Sequence, residues 1–166
     1  MTPGASSWSF REEDAQRIQG ILHEFLRDAN ARTTLIVDRT GQLIATAGES
    51  PTFDPVAFAS LTAADFSAND QLARMLGEPE FGSLFHQGDK ESMYLADIAR
   101  RVILVVLFDN RTTVGMVKLR VKATVKELID VFTDMFTRDA KAAPGPQVET
   151  GFLGDAEDEI DKLFGA

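Results

Sequence analysis

The sequence predicts an α+β domain in which a five-stranded antiparallel sheet carries helices on both faces. Three observations carry that prediction. Strand-like segments follow one another through short turns, which is antiparallel connectivity. The run RVILVVLF (101–108) is apolar almost without interruption, as in a strand covered on both sides. Apolar stripes at helical spacing flank the strands.

Each element has its own signal. Ser9-Phe10-Arg11-Glu12 fits a capping box, and Ala15, Ile18, Leu22, Phe25 and Leu26 share one face, so a first helix is predicted over about 10–29. Thr33–Val37 and Gln42–Thr46 are β-branched and apolar around the turn Asp38-Arg39-Thr40-Gly41, a hairpin. Asp54 as N-cap and Pro55 at the first helical position start a second helix over about 55–76, stopped by Gly77 and Pro79. Val56, Ala59, Ser60, Ala63, Ala64, Ser67, Ala68 and Ala73 make that helix rich in small residues, which suits close approach of another backbone. Three strands are then predicted: SMYLADI (92–98), RVILVVLF and, after the DNRT turn, TVGMVKLRV (113–121). A last helix runs from Thr124 to near Arg138 on the stripe Val125, Leu128, Ile129, Phe132, Met135, Phe136.

The 166 residues divide into an N-terminal arm (1–8), one domain (9–138), a Pro/Gly-containing linker (139–151) and a tail (152–166). The tail GFLGDAEDEIDKLFGA is acidic yet keeps Phe152, Leu153, Ile160, Leu163 and Phe164; a short helix capped by Asp155, with Leu153, Ala156, Ile160, Leu163 and Phe164 along one face, is expected there and is marginal in isolation. Net charge is −9, and from Asp139 onward seven acids face two lysines. That balance argues against nucleic acid, which requires a basic face, and for a protein partner. There are no cysteines, so disulfides, thiolate nucleophiles and most structural zinc sites are excluded. With no secretory signal and no long apolar run, a cytoplasmic location is expected.

The familiar catalytic signatures are missing: no phosphate loop, dinucleotide fingerprint, zinc helix or nucleophile elbow occurs. His23 adjoins Leu22 and reads as a surface residue. His86 lies near Asp89 and Glu91 without diagnostic metal-ligand spacing. Asp38 and Asp109 read as turn residues, and Arg100, Arg101 and Arg111 as charges flanking an apolar strand. No catalytic residue, metal or cofactor is assigned.

As a whole the chain resembles the Roadblock/dynein light chain family. The resemblance rests on LRDANARTTLIVDRTGQLIATAG (26–48), SLTAADFSANDQLARMLGEPEFGSLFHQGDKESMYL (60–95), RVILVVLFDNRTTVGMVKLRV (101–121) and the tail GFLGDAEDEIDKLF. It implies a homodimer, open to higher assembly, in which the 92–98 strands pair across a two-fold axis through Ser92, Met93, Tyr94, Leu95 and Ala96. The 55–76 helices would lie side by side, and a Ras-like small GTPase would dock on them. Ala63, Ala64, Ser67, Ala68, Gln71 and Arg74 are the docking residues it implies. The implied activity is GTPase activation in bacterial cell polarity and motility at a cell pole, with the GTPase's own arginine and glutamine pushed toward the γ-phosphate. The tail would dock on the GTPase away from its switch regions. The alternative is a non-activating scaffold linking polarity proteins.

Overall fold

The computed structural model describes residues 10–142. Its elements are α1 (Glu12–Ala29), β1 (Thr33–Asp38), β2 (Leu43–Gly48), α2 (Pro55–Met75), β3 (Ser83–Gln87), β4 (Ser92–Ile98), β5 (Val102–Phe108) and α3 (Val114–Ala142). All strands pair antiparallel in the order β2-β1-β5-β4-β3. The α+β class, a sheet of five antiparallel strands and the two-sided helical cover are therefore as predicted, although one of the five strands lies in a different segment.

Local chemistry explains most boundaries. Arg11, not Ser9, caps α1: its backbone is extended and its N–H donates to Asp14 at 3.2 Å, while Glu12, Glu13 and Asp14 complement the positive end of the helix dipole. Ser9 lies outside the described residues. In the β1–β2 turn, Asp38 Oδ1 accepts the Thr40 N–H at 2.7 Å and Gly41 takes φ 98°. A Cβ on Gly41 would come within 3.2 Å of the Ser60 backbone, so this turn is pressed against α2 and glycine serves both needs. Asp54 accepts the Val56 N–H at 3.0 Å, and α2 closes before Gly77 at φ 81°, as predicted.

Two predictions are corrected. Residues 113–121 do not form a strand; 114–121 are the first turns of α3, a single helix of 29 residues. Lys118, Arg120 and Lys122 alternate with Val117, Leu119 and Val121, which imitates a half-buried strand, yet Val117, Val121, Thr124 and Leu128 recur at helical spacing and are buried. Leu119 decides the matter: a strand would bury it with Val117 and Val121, whereas it is 61% exposed. The fifth strand is instead Ser83–Gln87, paired with β4. At its other end α3 continues through Asp139 to Ala142, so helix occupies the first four residues expected of the linker.

The sheet separates two cores. On one face α1 and α3 pack side by side over Ile36, Ala96, Ile98, Leu104 and Val106, with Leu22, Phe25, Leu128 and Phe132 filling the layer. Arg138 clamps the pair by donating to Asp14 at 2.6 Å and, further along, Arg17 reaches Asp134 at 3.3 Å. The Arg138 guanidinium holds the Asp14 carboxyl below the usual carboxylate range. On the other face α2 alone covers Leu35, Val37, Leu95, Ile103 and Val105 through Ala59, Ala63 and Phe66. Strand alternation sends consecutive β5 residues to opposite cores, which is why 102–108 reads as an unbroken apolar run.

Candidate functional site

The small residues of α2 are divided between its two sides. Ala59, Ala63, Phe66 and Ala73 face the sheet, with Thr62 and Asn69 buried beside them. Alanine at 59 and 63 lets the helix axis approach the strands closely. The outer side is also apolar. Ala57, Leu61, Ala64, Ala68, Gln71 and Met75 follow one another at steps of four and three, the seam spacing of a helix that packs against another helix. Leu61 is 71% and Met75 82% exposed, with Leu72 and Leu76 beside them. A helix apolar on both sides ordinarily has both sides covered, and contiguous apolar surface on a folded domain marks an interaction site.

Ala64, Ser67, Ala68, Gln71 and Arg74 lie on this exposed side. Ala63 does not: it is 7% exposed and belongs to the sheet-facing core, so it is withdrawn from the docking surface. Leu61, Leu72 and Met75 are the residues that attention to small side chains alone passed over; the step-of-three-and-four apolar pattern was their available signal.

The C-terminal half of α2 is fixed to the sheet by charge. Arg39, from the β1–β2 turn, bonds Asp70 of α2 at 2.5 Å and also bonds Asp97 of β4. Its guanidinium lies 4.7 Å over the Phe66 ring. Burial works against the Arg39 charge, but Asp97 and Asp70 outweigh it and hold its pKa above the ordinary value. Asp97 also accepts the Arg100 N–H at 3.1 Å, steadying a β4–β5 turn in which Ala99 and Arg100 both have positive φ. On the opposite flank, His86 Nε2 of β3 meets Asp65 of α2 at 2.6 Å. The outer surface of α2 is thus presented by a rigid support.

Other polar residues read from the sequence have structural places. Asp109 accepts the Arg111 N–H at 3.0 Å, and that guanidinium, also paired with Glu49, holds Asp109 below its ordinary pKa. Arg101 stacks on Phe136 at 4.6 Å, and His23 is exposed on α1. Among the described residues no group of three or more His, Asp or Glu could hold a metal ion. Two clefts of about 510 and 500 Å³ flank the β3–β4 turn, the second floored by Phe53, Phe58, Met93 and Leu107.

The sheet edges are unequal. At β2 the α1 side chain Gln19 donates to the Thr46 carbonyl at 3.1 Å. At β3, Ser83, Phe85, His86 and Gln87 are exposed, and SLFHQ contains no proline or lysine to blunt the free backbone edge. Ser92, Met93, Tyr94, Leu95 and Ala96 lie on β4, whose two edges are filled by β3 and β5. Backbone pairing of the 92–98 strand with a second copy is therefore excluded; the open edge belongs to 83–87. The tail residues Phe152, Leu153, Ile160, Leu163 and Phe164 lie outside the described residues.

A comparison with curated protein sequences returned no significant match. Among solved structures, Myxococcus xanthus MglB is 41% identical, covering 76% of this chain and 95% of its own with a TM-score of 0.72. The gliding protein MglB of Thermus thermophilus is 30% identical, covering 75% of this chain and 95% of its own at 0.69. An MglB described with a tetrameric arrangement is 30% identical, covering 78% and 97% at 0.72. Residues 17–108 match the Roadblock/LC7 domain, so β1 through β5, α2 and most of α1 fall within it. The chain is a member of the Roadblock/LC7 family.

Proposed function

We propose that this chain is a homodimeric regulator that activates a Ras-like small GTPase of the MglA type in bacterial cell polarity and gliding motility. The observation that carries the reading is the exposed apolar seam of α2 on a chain 41% identical to Myxococcus xanthus MglB. Two copies would join through β3 edges, bringing two α2 helices side by side into one platform wider than either helix alone. The tetrameric arrangement of one similar MglB supports self-assembly of this kind.

On that platform Ala64, Ser67, Ala68, Gln71 and Arg74, with Leu61, Leu72 and Met75, would press on the switch regions of the GTPase. The catalytic arginine and glutamine would be the GTPase's own. Positioning and electrostatic stabilisation are most of what phosphoryl transfer asks of a protein, so this chain needs no catalytic side chain in the reaction. The tail, through Phe152, Leu153, Ile160, Leu163 and Phe164, would contact the same GTPase away from the switches, its linker keeping it at high local concentration.

Single-turnover GTP hydrolysis by an MglA-type GTPase, with and without saturating protein, tests the proposal. Acceleration is expected, with loss of acceleration in Leu61→Asp. Binding without acceleration and without preference for GTP over GDP would refute activation and make the protein a scaffold for polarity proteins. Removal of residues 148–166 should leave the dimer intact and weaken GTPase binding or alter nucleotide exchange.

A further inference from the structure

The first half of α3 carries a surface that the fold does not use. Residues 114–126 contain Lys118, Arg120, Lys122 and Lys126 and no acid, in a chain of net charge −9. Met116, Leu119 and Ala123 recur at steps of three and four on the exposed side of the helix, and the four basic residues border them. None of the four enters an ion pair among the described residues, although most other arginines of the domain do. From Glu127 onward the outer side turns acidic, with Asp130 and Asp134, so the basic and apolar character ends within the first turns.

The chain also contains the complement of this surface. Residues 152–166 hold five acids against Lys162, a net charge of −4, together with the five large apolar residues named above. Reach allows contact within one chain. The nine residues 143–151 span up to about 30 Å when extended. Ala142 and Lys126 are separated by roughly 24 Å of helix at 1.5 Å per residue. A tail returning beside α3 would start near Lys126 and run antiparallel toward Met116.

We infer that, in the absence of a partner, residues 152–166 dock on the basic, apolar outer face of α3 between Met116 and Lys126 of the same chain. Leu119 and Met116 receive the tail's apolar face, and Lys118, Arg120, Lys122 and Lys126 meet Asp155, Glu157, Asp158, Glu159 and Asp161. The contact withholds the tail from other surfaces until something competes for it, and it does not depend on the GTPase reading.

The absence of cysteine permits a clean test on the full chain. A nitroxide on Gly165→Cys should broaden the backbone amides of 116–126, with roughly twofold or greater loss of intensity, because tethering keeps the tail at high effective concentration. Raising salt toward about 0.5 M should restore much of that intensity. Lys118→Glu with Lys122→Glu and Lys126→Glu, all on exposed positions, should abolish the broadening. Adding Asp155→Lys, Asp158→Lys and Glu159→Lys should bring it back. Broadening that is absent, falls on other elements or survives the α3 reversals would overturn the inference and leave this face to a separate acidic partner. Broadening of isotope-labelled chains by a spin label on other copies would place the tail on a neighbour and overturn the intrachain contact.

Discussion

The two faces of the sheet are built differently. On one, α1 and α3 lie together, their inward apolar stripes spent on the sheet and on each other while α3 leaves Met116 and Leu119 exposed near its start, and Arg138–Asp14 and Arg17–Asp134 bind their outer margins. On the other, α2 lies alone, uses its alanines and Phe66 to reach the strands, and still exposes Leu61, Leu72 and Met75. A helix with a neighbour can give its apolar area to stability. A helix without one keeps some of it for association, and here the charged clamp around Arg39 holds that helix in place.

Substitutions on the two faces should separate these roles. Phe132→Ala, in the α1/α3 layer, is expected to cost about 3–5 kcal/mol in urea unfolding through lost burial and a residual cavity. The self-association proposed through β3 should be unchanged in the folded fraction; a cost below about 1 kcal/mol would mean that this layer collapses freely around the vacancy. Arg39→Leu should cost about 2 kcal/mol, since Asp70 and Asp97 would face one another without a cation in a partly buried setting. Hydrogen exchange should then quicken in the last turns of α2 more than in α3. Equal acceleration in both helices would show that the clamp supports the whole domain.

Asp14→Asn tests the α1–α3 margin, with an expected cost of about 1 kcal/mol near neutral pH. Because Arg138 depresses the native Asp14 pKa, this contribution is present above the ordinary carboxylate pKa of about 4 and lost as pH falls through the native value. Wild type and variant should therefore converge in strongly acid solution; a gap that persists there would point to packing rather than charge. The smallest effect on stability is expected for Leu61→Asp, within about 0.5 kcal/mol. Analytical ultracentrifugation should nevertheless reveal weakened self-association, and unchanged assembly together with unchanged GTP hydrolysis would remove the outer seam of α2 from both interfaces.

Elements that bury a periodic face were legible in the sequence. The stripe of α1, the β1–β2 hairpin with its Asp38 turn, the capped α2 and the unbroken apolar β5 all announced themselves because their neighbours in space demand those residues. SLFHQ (83–87) did not, since an edge strand with mostly exposed side chains has little need of alternation. TVGMVKLRV misled because its one lysine and one arginine fell between apolar residues at period two while the buried subset kept the helical period. Five strands were thus correctly expected while one was placed in the wrong segment, and the edge assigned to 92–98 went wrong with it. On α2, Ala63 and Ala64 differ by one residue and face opposite sides, a distinction that composition could not supply and helical phase does.

The pairing of α1 with α3 has a consequence for synthesis. At roughly 5–20 residues per second, the stretch between Ala29 and Ala142 takes on the order of ten seconds to emerge. During that interval α1 can settle on the β1–β2 hairpin but lacks the helix against which Leu22, Phe25 and Asp14 finally rest. β1 likewise waits for β5, its partner across the middle of the sheet. The nascent chain therefore carries an exposed amphipathic helix and an unfinished hairpin until its last helix arrives, a window in which a ribosome-associated chaperone would find its substrate.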